Sequence, residues 1–301
     1  MLREQSVAAP LSFERLVSGR LVHRRQLSDV LVTDARPLGG DRFESAVQWP
    51  RNHVLLGRSG RVDSALVAET VRQVTTYIAH TLYDVPLGNQ FLMSRLRTRV
   101  ILPPPSALAG SDLVVEVLFT DVRRGASGPT AFVSHLRITQ DGREIASGEG
   151  FARVVTPEAY RRVRAGIAQD DGPPIRRHPV EAVSPAVAGV AHSGLVVIGR
   201  SAPPAGFALL VDPLSPAFFD HDLDHVPGML VVEGLRQTAR AVLGDPAVDF
   251  ATLDLSFDRM IELSDDPEIR VTGLGDSPAL PATAEIVREG VVLAHGSFVV
   301  T

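Results

Sequence analysis

An internal repeat constrains this chain more than any other feature. One segment reads Ser64-Ala-Leu-Val-Ala-Glu-Thr-Val-Arg-Gln73 and another Gly228-Met-Leu-Val-Val-Glu-Gly-Leu-Arg-Gln237. Both carry Glu-x-x-Arg-Gln behind a Leu-Val pair, and both continue as helices; Leu66, Val67, Val71, Val74 and Ile78 recur at helical spacing. The flanks repeat as well. Ahead of the helices lie strand-like pairs, Val30–Thr33 with Phe43–Trp49 and Leu195–Gly199 with Phe207–Val211. Behind them come Leu113–Phe119, Ala131–Ile138 and Glu144–Val154, answered by Glu268–Thr272, Ala282–Arg288 and Val291–Val300. Gln140-Asp-Gly142 and Glu289-Gly290 predict tight hairpins between the last two strands of each half.

Each half thus reads as two strands, one long helix and a run of antiparallel strands, an α+β unit in which helix and curved sheet bury each other's apolar faces. The 301 residues suit two such units. The expected division is 1–157, a linker over 158–190 marked by Gly172-Pro-Pro174, His178-Pro179 and Ser184-Pro185, and 191–301.

Composition removes several chemistries. There is no Cys, so disulfides and thiolate catalysis are excluded. All 30 basic residues are Arg, and without a lysine no Schiff base can form on a side chain. A net charge of -5 argues against a broad nucleic-acid footprint. The N-terminal stretch lacks a secretory apolar core, and no apolar run approaches the roughly 20 residues of a membrane helix. A soluble, cytoplasmic protein is expected, with no membrane or nucleic-acid partner.

The stretch Phe218-Phe-Asp-His-Asp-Leu-Asp-His-Val-Pro-Gly-Met-Leu-Val-Val-Glu-Gly-Leu-Arg-Gln237 carries a family resemblance. From Pro227 to Glu233 it resembles the active-site turn and helix start of hot-dog hydroxyacyl-thioester dehydratases. As a whole it resembles the A-factor biosynthesis family, the γ-butyrolactone synthases of Streptomyces and relatives. Leu21-Val-His-Arg24, Val30–Thr33 and Tyr83-Asp-Val-Pro-Leu-Gly88 agree, so the likeness runs from about Leu21 to Val300. It implies a double hot-dog fold, two hot-dog domains fused as an intrachain pseudo-dimer, with or without a further homodimer. It also implies acyl transfer from a β-ketoacyl-acyl carrier protein to dihydroxyacetone phosphate, then aldol-type closure to a phosphorylated butenolide, without a cofactor. The dehydratases place a catalytic His eight residues before the Pro of Pro-Gly. Here Phe219 holds that position, and Asp63-Ser64 replaces Pro-Gly in the first half. The chain departs from the dehydratase pattern at both places; thioester hydrolysis or dehydration, and a catalytically inactive ligand-binding protein, stand as alternatives.

Glu69, Arg72 and Gln73 share one helix face, as do Glu233, Arg236 and Gln237, with Arg240 a turn further. On an isolated helix such a triplet is a surface ion pair worth about a few tenths of a kcal/mol. On a helix wrapped by a sheet, a polar stripe needs a purpose, because unpaired buried charge is costly. For the implied reaction, Glu69 and Glu233 are the expected bases, kept ionised by Arg72 and Arg236, which are also the expected phosphate clamps. Backbone N–H groups at Gly228 and Met229 are expected to hold the oxyanion. Gln73, Gln237, Arg240, His221 and His225 complete the expected substrate contacts, with a structural role in the turn as the alternative for His225. The acid-rich setting of the two histidines suggests a metal, but the spacing fits no zinc pattern and none is expected. His53 is expected to be structural. Tyr160-Arg-Arg-Val-Arg164 reads as a solvated linker helix, with docking of an acidic carrier protein as the alternative.

Overall fold

The computed structural model describes residues 10–50, 62–101, 112–125, 128–165, 180–201, 206–275 and 280–301. His53, Gly172-Pro-Pro174 and His178-Pro179 lie outside them.

The first half contains β1 (Val32–Gly39), β2 (Arg42–Gln48), α1 (Ser64–Leu82), β3 (Gln90–Val100), β4 (Asp112–Gly125), β5 (Gly128–Gln140) and β6 (Arg143–Val155). Next come α2 (Pro157–Ala165), β7 (Glu181–Ala182) and α3 (Pro185–Ala188). The second half contains β8 (Ile198–Arg200), β9 (Phe207–Leu209), α4 (Gly228–Leu243), β10 (Phe250–Phe257), β11 (Glu268–Thr272), β12 (Ala282–Arg288) and β13 (Val291–Val300). Asp141-Gly142 and Glu289-Gly290 have positive φ at both positions, the backbone of the two tight turns that the sequence predicts.

All described strands form one sheet in the order β1-β2-β4-β5-β6-β3-β10-β13-β12-β11-β9-β8-β7. Read outward from the middle, the two sides are the same arrangement, with β7 added at one end. Helix α1 lies against one side and α4 against the other, and one apolar core runs from Val22 through Ile78 and Leu230 to Phe298. Close approach is locally enforced. A Cβ on Gly148 of β6 would come within 2.4 Å of Val71, so only glycine lets α1 press this near the sheet.

The halves meet where β3 pairs antiparallel with β10, Thr98 opposite Leu253 and Leu96 opposite Leu255. Leu96, Thr98, Leu253 and Leu255 are buried, while Arg95 and Arg97 converge on Asp254 at 2.6–3.0 Å. Neither strand is among those expected from the sequence. The apolar side of each is short, and arginines alternate with it in β3. The leading strands also begin later than expected. Val30-Leu31 and Leu195–Val197 are not strand but lead-ins held by side chains of the helices. Residues 181–188, inside the expected linker, are strand and helix: β7 pairs with β8, and Ser184 caps α3. Helix α2 keeps most of its residues in solvent, but Arg164 is buried against Glu262 at 2.7 Å.

The β3 edge should be unusable without its partner. A fragment of residues 1–157 is expected to aggregate or swap; a folded, soluble monomer of that fragment in size-exclusion and circular-dichroism measurements would contradict this pairing's importance.

Candidate active site

The repeated triplets divide their work. Gln73 accepts from Leu31 N at 2.9 Å and donates to Asp29 O at 2.7 Å; Gln237 accepts from Val197 N and donates to Leu195 O, both at 2.9 Å. Each amide therefore substitutes for a strand partner and fastens the chain ahead of β1 or β8 to the helix. Both side chains are fully buried, so the substrate contacts expected of Gln73 and Gln237 give way to architecture. Arg240 likewise donates to Val248 O and Ala188 O, holding α3 and a turn rather than a ligand.

Each glutamine also donates to its glutamate, at 2.6 Å for Glu69 and 2.8 Å for Glu233. Glu69 receives Arg72 at 2.7 and 2.9 Å and Arg24 at 2.8 and 3.0 Å as well. Burial alone would raise its pKa, but these two guanidiniums hold it below the usual carboxylate range. A carboxylate with so many donors is an anchor for arginines. The expectation that Glu69 is the base is not what this geometry favours.

The arginines differ. Arg236 is 1% exposed and all three of its nitrogens are engaged: Nε and Nη2 with Glu233 at 2.7 Å, Nη1 with both oxygens of Asp63 at 2.9 Å. Asp63 is the N-cap of α1 and accepts from Ala65 N and Leu66 N too. Asp249 completes the cluster, bonded to Ser64 N at 3.0 Å and 3.8 Å from Arg236; burial and the charge of Asp63 push its pKa up. In the pseudo-equivalent place facing α1, the start of α4 offers Pro227-Gly228, with no carboxylate. Arg72 is thus held by Glu69 alone, and among the described residues its Nη1 has no partner.

Arg72 lines a cavity of about 370 Å³ at the junction of the halves. Its walls include Val71 and Thr75 of α1, Phe91–Ser94, Gly150–Arg153, Phe257–Ile261, and His225, Val226 and Gly228. No side chain caps α4, so its first N–H groups open beside Gly228. None of Glu233, Arg236, Gln237 and Arg240 reaches this cavity, nor do Met229 and His221 line it. Arg236 is therefore a structural ion-pair partner rather than a phosphate clamp.

Several contributors escaped the sequence reading. Asp220 joins the second half's loop to the first half, accepting from Arg25 N at 3.0 Å with Arg24 3.7 Å away; His221 binds the same carboxylate at 2.5 Å. His23, beside Arg24 in the quoted Leu21–Arg24 motif, lines the cavity with a left-handed backbone, φ 53°. Its Nε2 lies 2.9 Å from His80 Nε2, and His80 Nδ1 lies 2.7 Å from Val85 O. A carbonyl only accepts, so His80 carries its proton on Nδ1 and His23 must donate from Nε2, leaving His23 Nδ1 a bare acceptor. Burial, then Arg72, lowers the His23 pKa to about 3.

One long helix behind a wrapped sheet, doubled edge to edge with a cavity at the junction, defines a double hot-dog protein. A solved acyl-ACP thioesterase from Bacteroides thetaiotaomicron shares the fold at TM-score 0.51 and 13% identity, over 86% of this chain and 98% of that one. The model of the A-factor biosynthesis hotdog domain matches residues 6–156 and 176–297, and the chain belongs to that family. Two relatives bear the name 2-oxo-3-(phosphooxy)propyl 3-oxoalkanoate synthase. The Streptomyces virginiae protein is 32% identical, covering 86% of this chain and 93% of its own; the Streptomyces coelicolor protein is 33% identical, covering 74% and 71%.

Two stability tests follow. Asp63→Ala takes one of two close carboxylates from the buried Arg236 and removes a helix cap, and should cost about 3–5 kcal/mol in denaturant melts; a cost under about 1 kcal/mol would contradict the ion-pair role. His23 binds its proton far less well folded than unfolded, so its contribution is complete above about pH 6.5 and is lost as pH falls towards 3. His23→Asn, which tolerates left-handed backbone, should flatten the fall in stability between pH 7 and 4; an unchanged slope would refute the buried neutral imidazole.

Proposed function

We propose that the chain joins a β-ketoacyl thioester to dihydroxyacetone phosphate, giving the ester precursor of a phosphorylated butenolide. The observation that carries this reading is the free edge of Arg72 facing an uncapped helix N-terminus across one cavity. Arg72 binds the triose phosphate with the donor that Glu69 leaves unused, and charge-assisted contacts of this kind are strong in a dry site. The thioester carbonyl lies at the start of α4, where the N–H of Gly228 stabilises the oxyanion. Val71, Phe91, Met93 and Phe257 line the same cavity and suit an acyl chain. His23 Nδ1 accepts a hydrogen bond from the triose. The name that the relatives bear supports the reading, for it describes an ester of a 3-oxo acid with phosphorylated dihydroxyacetone. Acyl carrier protein as donor and a cytoplasmic setting belong to the same proposal. Of the described helices, none is long and apolar enough to cross a membrane.

Incubation of the purified protein with a β-ketoacyl thioester and dihydroxyacetone phosphate, followed by mass spectrometry, should yield the ester or its cyclised product. Free acid formed irrespective of the triose would instead indicate hydrolysis. Arg72→Ala should lower kcat/KM for the phosphorylated triose by about 2–4 kcal/mol, with partial recovery in Arg72→Lys. Unphosphorylated dihydroxyacetone should be a poor substrate that the change barely affects. Equal losses on both would reassign Arg72 to holding Glu69.

A further inference from the structure

With Glu69 enclosed by donors, the acyl transfer needs a proton acceptor from elsewhere in the cavity wall. His225 lines that cavity and carries the arrangement of an oriented base. Its Nδ1 lies 2.7 Å from Asp224 Oδ1, and a carboxylate only accepts, so the proton sits on Nδ1. The other ring nitrogen, Nε2, has no partner among the described residues.

Asp224 is itself held. The Tyr160 hydroxyl donates to Oδ1 at 2.6 Å and Arg164 Nε lies 3.1 Å from Oδ2. Arg164 also donates to Asp224 O at 3.0 Å and to both oxygens of Glu262 at 2.7 and 2.8 Å. Residue 262 forms a β-bridge with His225, and Val226 N donates to Ile261 O at 2.8 Å. Helix α2 therefore holds the backbone carbonyl before the imidazole and the carboxylate behind it, while Ile261 holds the backbone after it. A buried arginine and a phenol converging on one partly buried loop are more than chain connection demands.

We infer that His225 is the general base of the reaction proposed above, and that Asp224 and Tyr160 are its positioning residues, supplied in part by the segment between the halves. The inference rests on the condensation reading. In the step, His225 Nε2 takes the proton of the triose hydroxyl as its oxygen bonds to the thioester carbonyl carbon. The tetrahedral intermediate collapses, the C–S bond breaks, and the departing sulfur receives the proton from Nε2. The ester and a free thiol leave, and the imidazole is neutral again. No oxidant or reductant is involved.

The test follows both products, ester by mass spectrometry and free thiol by colorimetry, with and without dihydroxyacetone phosphate. His225→Ala should lose about 10²–10⁴-fold in kcat, with little change in KM for the triose phosphate or in thermal midpoint. Added imidazole should restore turnover in proportion to its concentration, as no structural role would allow. Asp224→Asn should lose at least about tenfold in kcat, because an amide does not fix the imidazole tautomer. Should His225→Ala unfold, His225→Gln, closer in volume, is judged by its kcat loss at unchanged KM. Retention of kcat within a few-fold, or a loss in folded His225→Ala that imidazole does not move, overturns the inference. If the wild type makes no ester, the condensation reading fails instead, and the dyad is then judged on thiol release alone.

Discussion

A guanidinium without water needs carboxylates, and for Arg236 one comes from Glu233 on its own helix and a second from the other half of the chain. Asp63 lies 173 residues away in sequence yet presents both oxygens to Arg236 at 2.9 Å. Removing Asp63 would take one of two close carboxylates from Arg236, and removing Arg236 would deprive Asp63 of this counter-charge in a space closed to solvent. That pair is what makes two related places differ. The fold brings each long helix against the start of the other, so the Arg72 and Arg236 environments begin as equivalents. Asp63 closes one by capping its own helix and pairing with the arginine opposite. Pro227-Gly228 leaves the other open, with an uncapped helix and an arginine that still has a donor to give.

The recurrent Glu-x-x-Arg-Gln is best understood as architecture first and chemistry second. Gln73 and Gln237 make the same two backbone hydrogen bonds to the segment before the leading strand of their own half. The glutamates keep the arginines in place, and only the arginines meet different surroundings. A stripe of buried polar residues on an otherwise apolar helix is tolerable because nearly every donor and acceptor in it is matched.

Much of the architecture was legible in the order of residues. Helical periodicity gave α1 and α4, alternation with Asp-Gly and Glu-Gly turns gave the terminal hairpins, and the repeat gave the doubling. The seam was not legible. β3 alternates Arg95, Arg97 and Arg99 with Leu96, Thr98 and Val100, a pattern that becomes a central strand only once β10 arrives beside it. The same limit applied to the site. Helical spacing shows which residues share a face but not what opposes it, so Glu69 and Glu233, and Arg72 and Arg236, read as equals. Asp63-Ser64 looked like a lost Pro-Gly and is instead what closes one place. Arg24, Asp220 and Asp224 matter through contacts between distant segments, for which the sequence gives only faint signals such as the Leu21–Arg24 motif.

The proposed working site lies between Arg72 and the start of α4, while Asp63 fills the corresponding place beside Arg236. A crystal structure with dihydroxyacetone phosphate bound tests this most directly. It should show one ligand per chain, its phosphate on Arg72 and its carbon skeleton in the cavity beside His23 and Gly228, with the Asp63–Arg236 pair intact. A phosphate on Arg236, with Asp63 displaced, would contradict it.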